Sequence, residues 1–417
     1  MIINKRLCKL TLLLTTAVLG GVNDGKCETN TGATAQWLSG KTYDLEGLSV
    51  SISKPLCVGR SKKQFWYPNI MRFADGTLAM SIRTGDDRLT ADEGLLIWSR
   101  DGGLTWSKPK PYTAQSFSYC PLPSGEFALL PHHLYKNKTP NGCKGHMNVI
   151  DAKGTVRLLK DGVTVAGFPR PFGSDPFNPK ADVEEVAKQG RIPFFFNGIP
   201  LKARDGTYLT VIEGIYQNAK RMCTIVAESH DGFTWRFRST VVDDGCDGEA
   251  CLCYTSDGRL MCIIRRWPLY RQCFSSDEGR TWSEPVAMKK EGSVEPKLLV
   301  LQSGTIVLSG GRLGLYLWFN RDGSGKSWQT IDTLAHHNAL LPQEVISPAS
   351  PQNRGGTSSY TGIVEIEPDT FLCVYDRVPD TFRVRTHWKA DPKDDNNNRE
   401  KFSVYVVRVT VQNKQVK

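Results

Sequence analysis

At 417 residues, with 40% hydrophobic residues and a formal net charge of +10, the chain is long enough to bury a sizeable core. Its basic residues are scattered rather than gathered into an arm or block, which argues against a nucleic-acid partner and leaves an acidic glycan as a fitting one. Seven histidines and no wide Cys/His pairing argue against a zinc site, and amphipathic helical patterns are few; 182–188 comes closest.

In chain order, residues 1–26 read as an export leader. Asn4-Lys5-Arg6 and Lys9 supply the basic start, and an apolar run from Leu10 to Val22 is too short to cross a bilayer comfortably. No later stretch is long enough for a transmembrane helix. This predicts a secreted, periplasmic or cell-surface protein whose remaining residues, 27–417, form one domain. Removing Cys8 with the leader leaves eleven cysteines, expected as buried thiols or one or two disulfides.

Within that domain a turn motif repeats. Ser99-Arg100-Asp101-Gly102-Gly103-Leu104-Thr105-Trp106 reads S-x-D-x-G-x-T-W, and residues 275–282 match it at full length. A version one residue short lies at 229–235 and one a residue long at 320–328. The later copies are spaced about 45 residues apart, a period that signals stacked supersecondary units. The short Asp carboxylate can accept backbone N–H groups of its own turn, glycine permits positive φ, and tryptophan covers the turn. These aspartates are therefore expected to be structural.

Each turn motif follows an apolar hairpin centred on Asp-Gly, Ser-Gly or Pro-Asp, as in the run Asn69 to Met80. The hairpins count out six units, near 64–110, 115–160, 193–240, 247–288, 293–331 and 357–412. Such units can bury both faces when arranged radially, so the expected fold is all-β, a six-bladed β-propeller of four-stranded antiparallel blades. The strand 48–52 is expected to close the last unit. Residues 161–192, 333–356 and 388–400 read as surface loops.

Three features carry chemistry. Glu249 opens the hairpin of the fourth unit and Arg265 closes it; Glu295 and Arg312 repeat this in the fifth. Arginine offers a planar fork for a carboxylate, although simple pairing within each unit also accounts for the pattern. Tyr360 opens the sixth unit, where a phenol beside a carboxylate base can act as a nucleophile, as it does in sialidases. Arg83 ends the first inner hairpin and is followed by a polar loop holding Asp86 and Asp87.

These features resemble the sialidase (neuraminidase) superfamily, whose Asp boxes look like the repeated turns over nearly all of the mature chain. The resemblance implies an exo-glycosidase acting on sialic or related acidic sugars with retention of configuration. In it Tyr360 is the nucleophile, Glu249 its base, and Asp87 or Asp86 the acid, with Asp92 a weaker candidate. Arg265, Arg312 and Arg83 would bind the substrate, and no metal or organic cofactor is called for. The expected partner is an anionic glycan and the expected state a monomer.

One departure stands out. Trp66-Tyr67-Pro68 occupies the place of the family's Arg-Ile-Pro, which opens the first unit with a substrate-gripping arginine. Arg60 is a candidate to replace it, while Arg191-Ile192-Pro193 lies before the third unit and reads as coincidence. The departure keeps two alternatives open: a glycosidase or lyase for another uronic-acid glycan, and a propeller that binds glycan without turnover.

Overall fold

The computed structural model describes residues 28–29, 36–85, 93–113, 116–173, 190–246, 248–291, 294–312, 314–349, 355–379 and 402–414. The proposed leader, Asp86, Asp87, Asp92 and the 388–400 segment lie outside them. The described chain is nearly all β. Its strands form five hydrogen-bonded sheets, three of four strands, one of seven and one of eleven.

The four-stranded sheets are antiparallel meanders, and they coincide with the first, fourth and fifth expected units. The first comprises Trp66–Arg72, Leu78–Arg83, Gly94–Ser99 and Lys110–Tyr112. The next comprises Ala250–Tyr254, Leu260–Ile264, Leu269–Ser275 and Val286–Glu291. The third comprises Lys297–Val300, Ile306–Gly311, Leu315–Asn320 and Gln329–Asp332.

The second and third expected units are not separate sheets. The outer strand Val156–Ala166 runs on far enough for 164–166 to pair in parallel with 234–236, which merges the two into the eleven-stranded sheet. This extension also corrects the expected loop at 161–192. Its first residues continue a strand, and Arg191–Ile192 is a short strand paired with 134–135.

In the seven-stranded sheet, Phe402–Asn413 pairs with Thr370–Arg377 on one side. On its other side lie two N-terminal strands, Leu56–Ser61 and Leu48–Ile52. Strand 48–52 thus joins the last unit as expected.

The repeated turns are built as their chemistry requires. Asp277 accepts from the N–H groups of Arg280 (3.0 Å) and Thr281 (2.9 Å), and from the hydroxyls of Thr281 (2.6 Å) and Ser275 (2.7 Å). Asp101 makes the same set with Leu104, Thr105 and Ser99. In three copies the tryptophan bonds to its own turn, Trp106 to Gly103 O at 3.0 Å, Trp235 to Gly232 O at 3.1 Å and Trp328 to Gly325 O at 2.9 Å, while the Trp282 indole donates to the Ser239 hydroxyl at 3.1 Å.

The hydrogen bond from the Thr281 hydroxyl, with the others, holds Asp277 below the usual aspartate range, slight burial notwithstanding. Its folded pKa lies below its unfolded one, so its stabilisation is present above about pH 4 and is lost as the pH falls through the folded value. Asp277→Ala is expected to lower stability by about 1 kcal/mol at neutral pH. Urea denaturation of both proteins should show that gap narrowing in acid.

The 333–356 segment differs from the expected loop. Thr333–Leu340 is an α-helix capped by Asp332, whose carboxylate accepts from Ala335 N–H at 2.8 Å, and Pro342–Glu344 is a 3-10 turn. His336 and His337 on this helix are buried. His336 meets the Tyr43 hydroxyl and Ser53 O, and His337 the Tyr375 hydroxyl and Glu344 O, each at 2.9–3.0 Å.

All ten cysteines among the described residues are free thiols and nine are buried. They match the buried-thiol expectation, with no disulfide among them.

The inner strands lie side by side. Tyr208–Gly214 packs on Ala250–Tyr254, which packs on Lys297–Val300, then Thr361–Glu367, then Trp66–Arg72. From there Asn69 Nδ2 donates to Phe117 O at 2.9 Å, and the Ser118 hydroxyl reaches Gly198 O. This succession gathers side chains distant in sequence around one site.

Candidate active site

Glu249 sits just before the strand Ala250–Tyr254, on a backbone turned by Gly248 at φ +99°. A Cβ at Gly248 would stand 2.1 Å from Glu213 Oε2, so the close approach and the positive φ both require glycine. The Arg265 N–H donates to Glu249 O at 2.8 Å, which returns the hairpin alongside its start.

Glu249 is only 5% exposed. Its Oε2 accepts from Arg265 Nη1 at 2.9 Å and from Glu295 N–H at 2.7 Å, and its Oε1 accepts from the Tyr360 hydroxyl, 111 positions away in sequence. The pairing expected within the hairpin is therefore made, and the same carboxylate also engages the phenol.

Burial, followed by the Glu249 charge, pushes the Tyr360 phenol well above its ordinary pKa; Arg265 and Arg312 pull it back in part. At neutral pH the phenol keeps its proton and donates it to Glu249. Burial disfavours the charge on Arg265, yet the Glu249 carboxylate beside it holds that guanidinium protonated. The arrangement can move a proton from phenol to carboxylate as a bond forms at the phenolic oxygen, with Arg265 steadying the carboxylate.

Arg312, which ends the fifth inner hairpin at φ +55°, lies within electrostatic reach of Tyr360. It does not pair with Glu295, as the repeated acid–arginine pattern suggested. Glu295 instead binds Lys297 at 2.5 Å, and Lys297 also donates to Phe117 O at 3.3 Å. Arg83 is 2% exposed, its guanidinium 4.9 Å from the Phe117 ring centre, and Phe117 lies 5.8 Å from Tyr360. Arg60 is held by Glu344 at 2.5 Å. Arg191 stands near His133. The acid candidates Asp86 and Asp87 fall outside the described residues.

Where the resemblance called for an arginine, the structure has aromatic rings. Trp66 and Tyr67 stack with centroids 4.3 Å apart at 19°, and the Tyr67 ring lies 4.3 Å from that of Tyr360. The Trp66 indole donates to Gly85 O at 3.1 Å.

Sequence reading named Glu295 but passed over two other members of this site, Glu213 and Lys297. Glu213 is buried and receives the Asn197 amide; burial, then neighbouring Glu249, raises it well above the usual carboxylate range. Glu295 is pushed up to about 7, by burial first and by Glu249 against the pull of Lys297. The sequence does carry one sign of Glu213: a lone acid at the end of the otherwise uncharged run Tyr208 to Gly214.

No protein-family model and no curated protein sequence matches the chain. Solved structures do. A Dyadobacter fermentans protein of unknown function is 15% identical with a TM-score of 0.61, covering 88% of this chain and 100% of its own. The α-L-arabinofuranosidase Arb93A of Fusarium graminearum is 13% identical with a TM-score of 0.52, covering 83% and 93%. The NanB sialidase of Streptococcus pneumoniae is 13% identical with a TM-score of 0.51, covering 85% and 70%. The chain thus shares its fold with propeller glycosidases.

Proposed function

We propose that the protein is an exported, six-bladed propeller glycosidase that releases a terminal sugar with retained configuration. The observation that carries this reading is the buried Glu249 carboxylate, shared between the Tyr360 hydroxyl and Arg265. The Tyr360 oxygen attacks the anomeric carbon and passes its proton to Glu249. The glycosidic C–O bond breaks, and its oxygen takes a proton from the acid that the family resemblance assigns to Asp87 or Asp86. Water then attacks the anomeric carbon and gives a proton to that acid; the bond from that carbon to the Tyr360 oxygen breaks, and the oxygen takes its proton back from Glu249. A neutral phenol nucleophile suits an acidic sugar such as sialic acid, because it avoids the repulsion a carboxylate would meet, and Arg312 with Arg83 adds positive charge nearby.

A second reading has its own support. Arg265 is already bound to Glu249, and Trp66 and Tyr67 fill the place of the expected arginine. Both favour a sugar with no carboxylate at the anomeric carbon, such as an arabinofuranoside. Aryl sialosides and aryl α-L-arabinofuranosides assayed side by side separate the two. Release from the sialoside is the expected result; release from the arabinofuranoside alone moves the assignment to neutral sugars. Binding of a glycan with no release from either defeats the catalytic reading.

A further inference from the structure

Tyr360 lies at the end of a segment, 355–360, that belongs to no strand; pairing begins only at Thr361. Regular hydrogen bonding therefore does not place the phenol. Two non-glycine residues beside it are left-handed, Ser359 at φ +67° and Tyr67 at φ +49°. Such conformations persist only where the surroundings over-determine them.

One side chain bonds to Tyr67 and to the two residues before Ser359. Asp376, fully buried near the end of the strand Thr370–Arg377, accepts the Tyr67 N–H at 2.9 Å, the Thr357 hydroxyl at 2.9 Å, the Ser358 N–H at 2.7 Å and the Ser358 hydroxyl. The chain of bonds continues to the nucleophile. Ser358 Oγ accepts Tyr360 N–H at 3.2 Å, and Thr357 Oγ1 accepts Ser359 N–H at 3.0 Å. Four donors on two carboxylate oxygens fix the geometry of both partners.

We propose that Asp376 is the positioning residue of this site, holding the 357–360 segment and the Tyr67 backbone together so that the Tyr360 hydroxyl meets Glu249 with the Tyr67 ring against it. Asp376 does not touch the reacting atoms. It acts through Ser358 on the phenol and through Tyr67 on the ring wall beside it. Asparagine cannot replace it, since an amide offers one acceptor oxygen and turns an N–H group toward donors. The proposal rests on the Tyr360–Glu249 reading for its catalytic meaning, and on geometry alone for its structural one.

The test uses Asp376→Asn and Ser358→Ala in the full chain. The second removes only the hydroxyl that links Asp376 to Tyr360 N–H and leaves the other donors in place, so it serves if the first does not fold. Crystal structures of the variants should show the Tyr360 hydroxyl withdrawn from Glu249. On whichever glycoside the parent cleaves, kcat should fall about 100-fold with KM little changed, as a misplaced reacting group does. A merely structural role would instead leave the folded fraction with the parent's kcat. A Tyr360 hydroxyl still on Glu249 in both variants, or an unchanged kcat, overturns the proposal. If the parent cleaves no glycoside, the enzymatic reading has failed by itself, and displacement of Tyr360 in the crystals alone decides whether Asp376 sets its place.

Discussion

Tyr360→Phe is expected to lower kcat on the order of 10⁴-fold or more, since it removes the atom that forms the covalent bond. The substitution keeps the ring and its contacts with Tyr67 and Phe117, at 4.3 and 5.8 Å. Glu249 keeps Arg265 and the Glu295 N–H, so the carboxylate is not left bare. Folding should therefore survive, and thermal unfolding near that of the parent is part of the expected result. Single-turnover kinetics with a good aryl leaving group isolates the attack step. A variant that turns over like the parent removes the phenol as nucleophile, and Glu249 would then be the group to examine.

The largest effect on stability is expected from Glu249→Ala, about 2 kcal/mol by urea denaturation, because it strips a half-buried cation of its partner. Arg265 already has an Nε with no hydrogen-bond partner among the described residues. Its charge is held by Glu249. The alanine also takes away the acceptor of the Glu295 N–H. The double variant Glu249→Ala with Arg265→Ala should recover part of the loss, since the unpaired charge goes with the second substitution. A single variant as stable as the parent would mean that Arg265 turns outward into water and that the pair does not build the site.

The parts legible in sequence were those with local causes. Asp101 and Asp277 bond within four residues of themselves, so spacing alone exposed the turns. Glu249 and Arg265 flank one hairpin, and hairpin register brings them together. Tyr360 needed the family resemblance, because nothing near it in sequence marks a phenol that meets an acid 111 positions away.

What stayed hidden depends on neighbours from other sheets. The helix Thr333–Leu340 carries two histidines on its buried part, satisfied by Tyr43, Tyr375 and carbonyl oxygens, so it shows no apolar stripe to read. Lys297 and Glu213 resemble surface residues until the inner strands are placed side by side. The merger of two units through 164–166 and 234–236 came from the length of one outer strand, which turn signals do not report.

The pairing of 48–52 with 409–413 has a consequence for biogenesis. Strands 48–52 and 56–61 find their shared partner, strand 402–413, only after all the intervening sheets have been synthesised, although 48–52 pairs early with 41–45. Until then they present unpaired edges, in a topology whose non-local contacts favour slow folding. A nascent chain of this protein should need sheltering until strand 402–413 emerges, and shortening that strand should harm solubility before it harms chemistry.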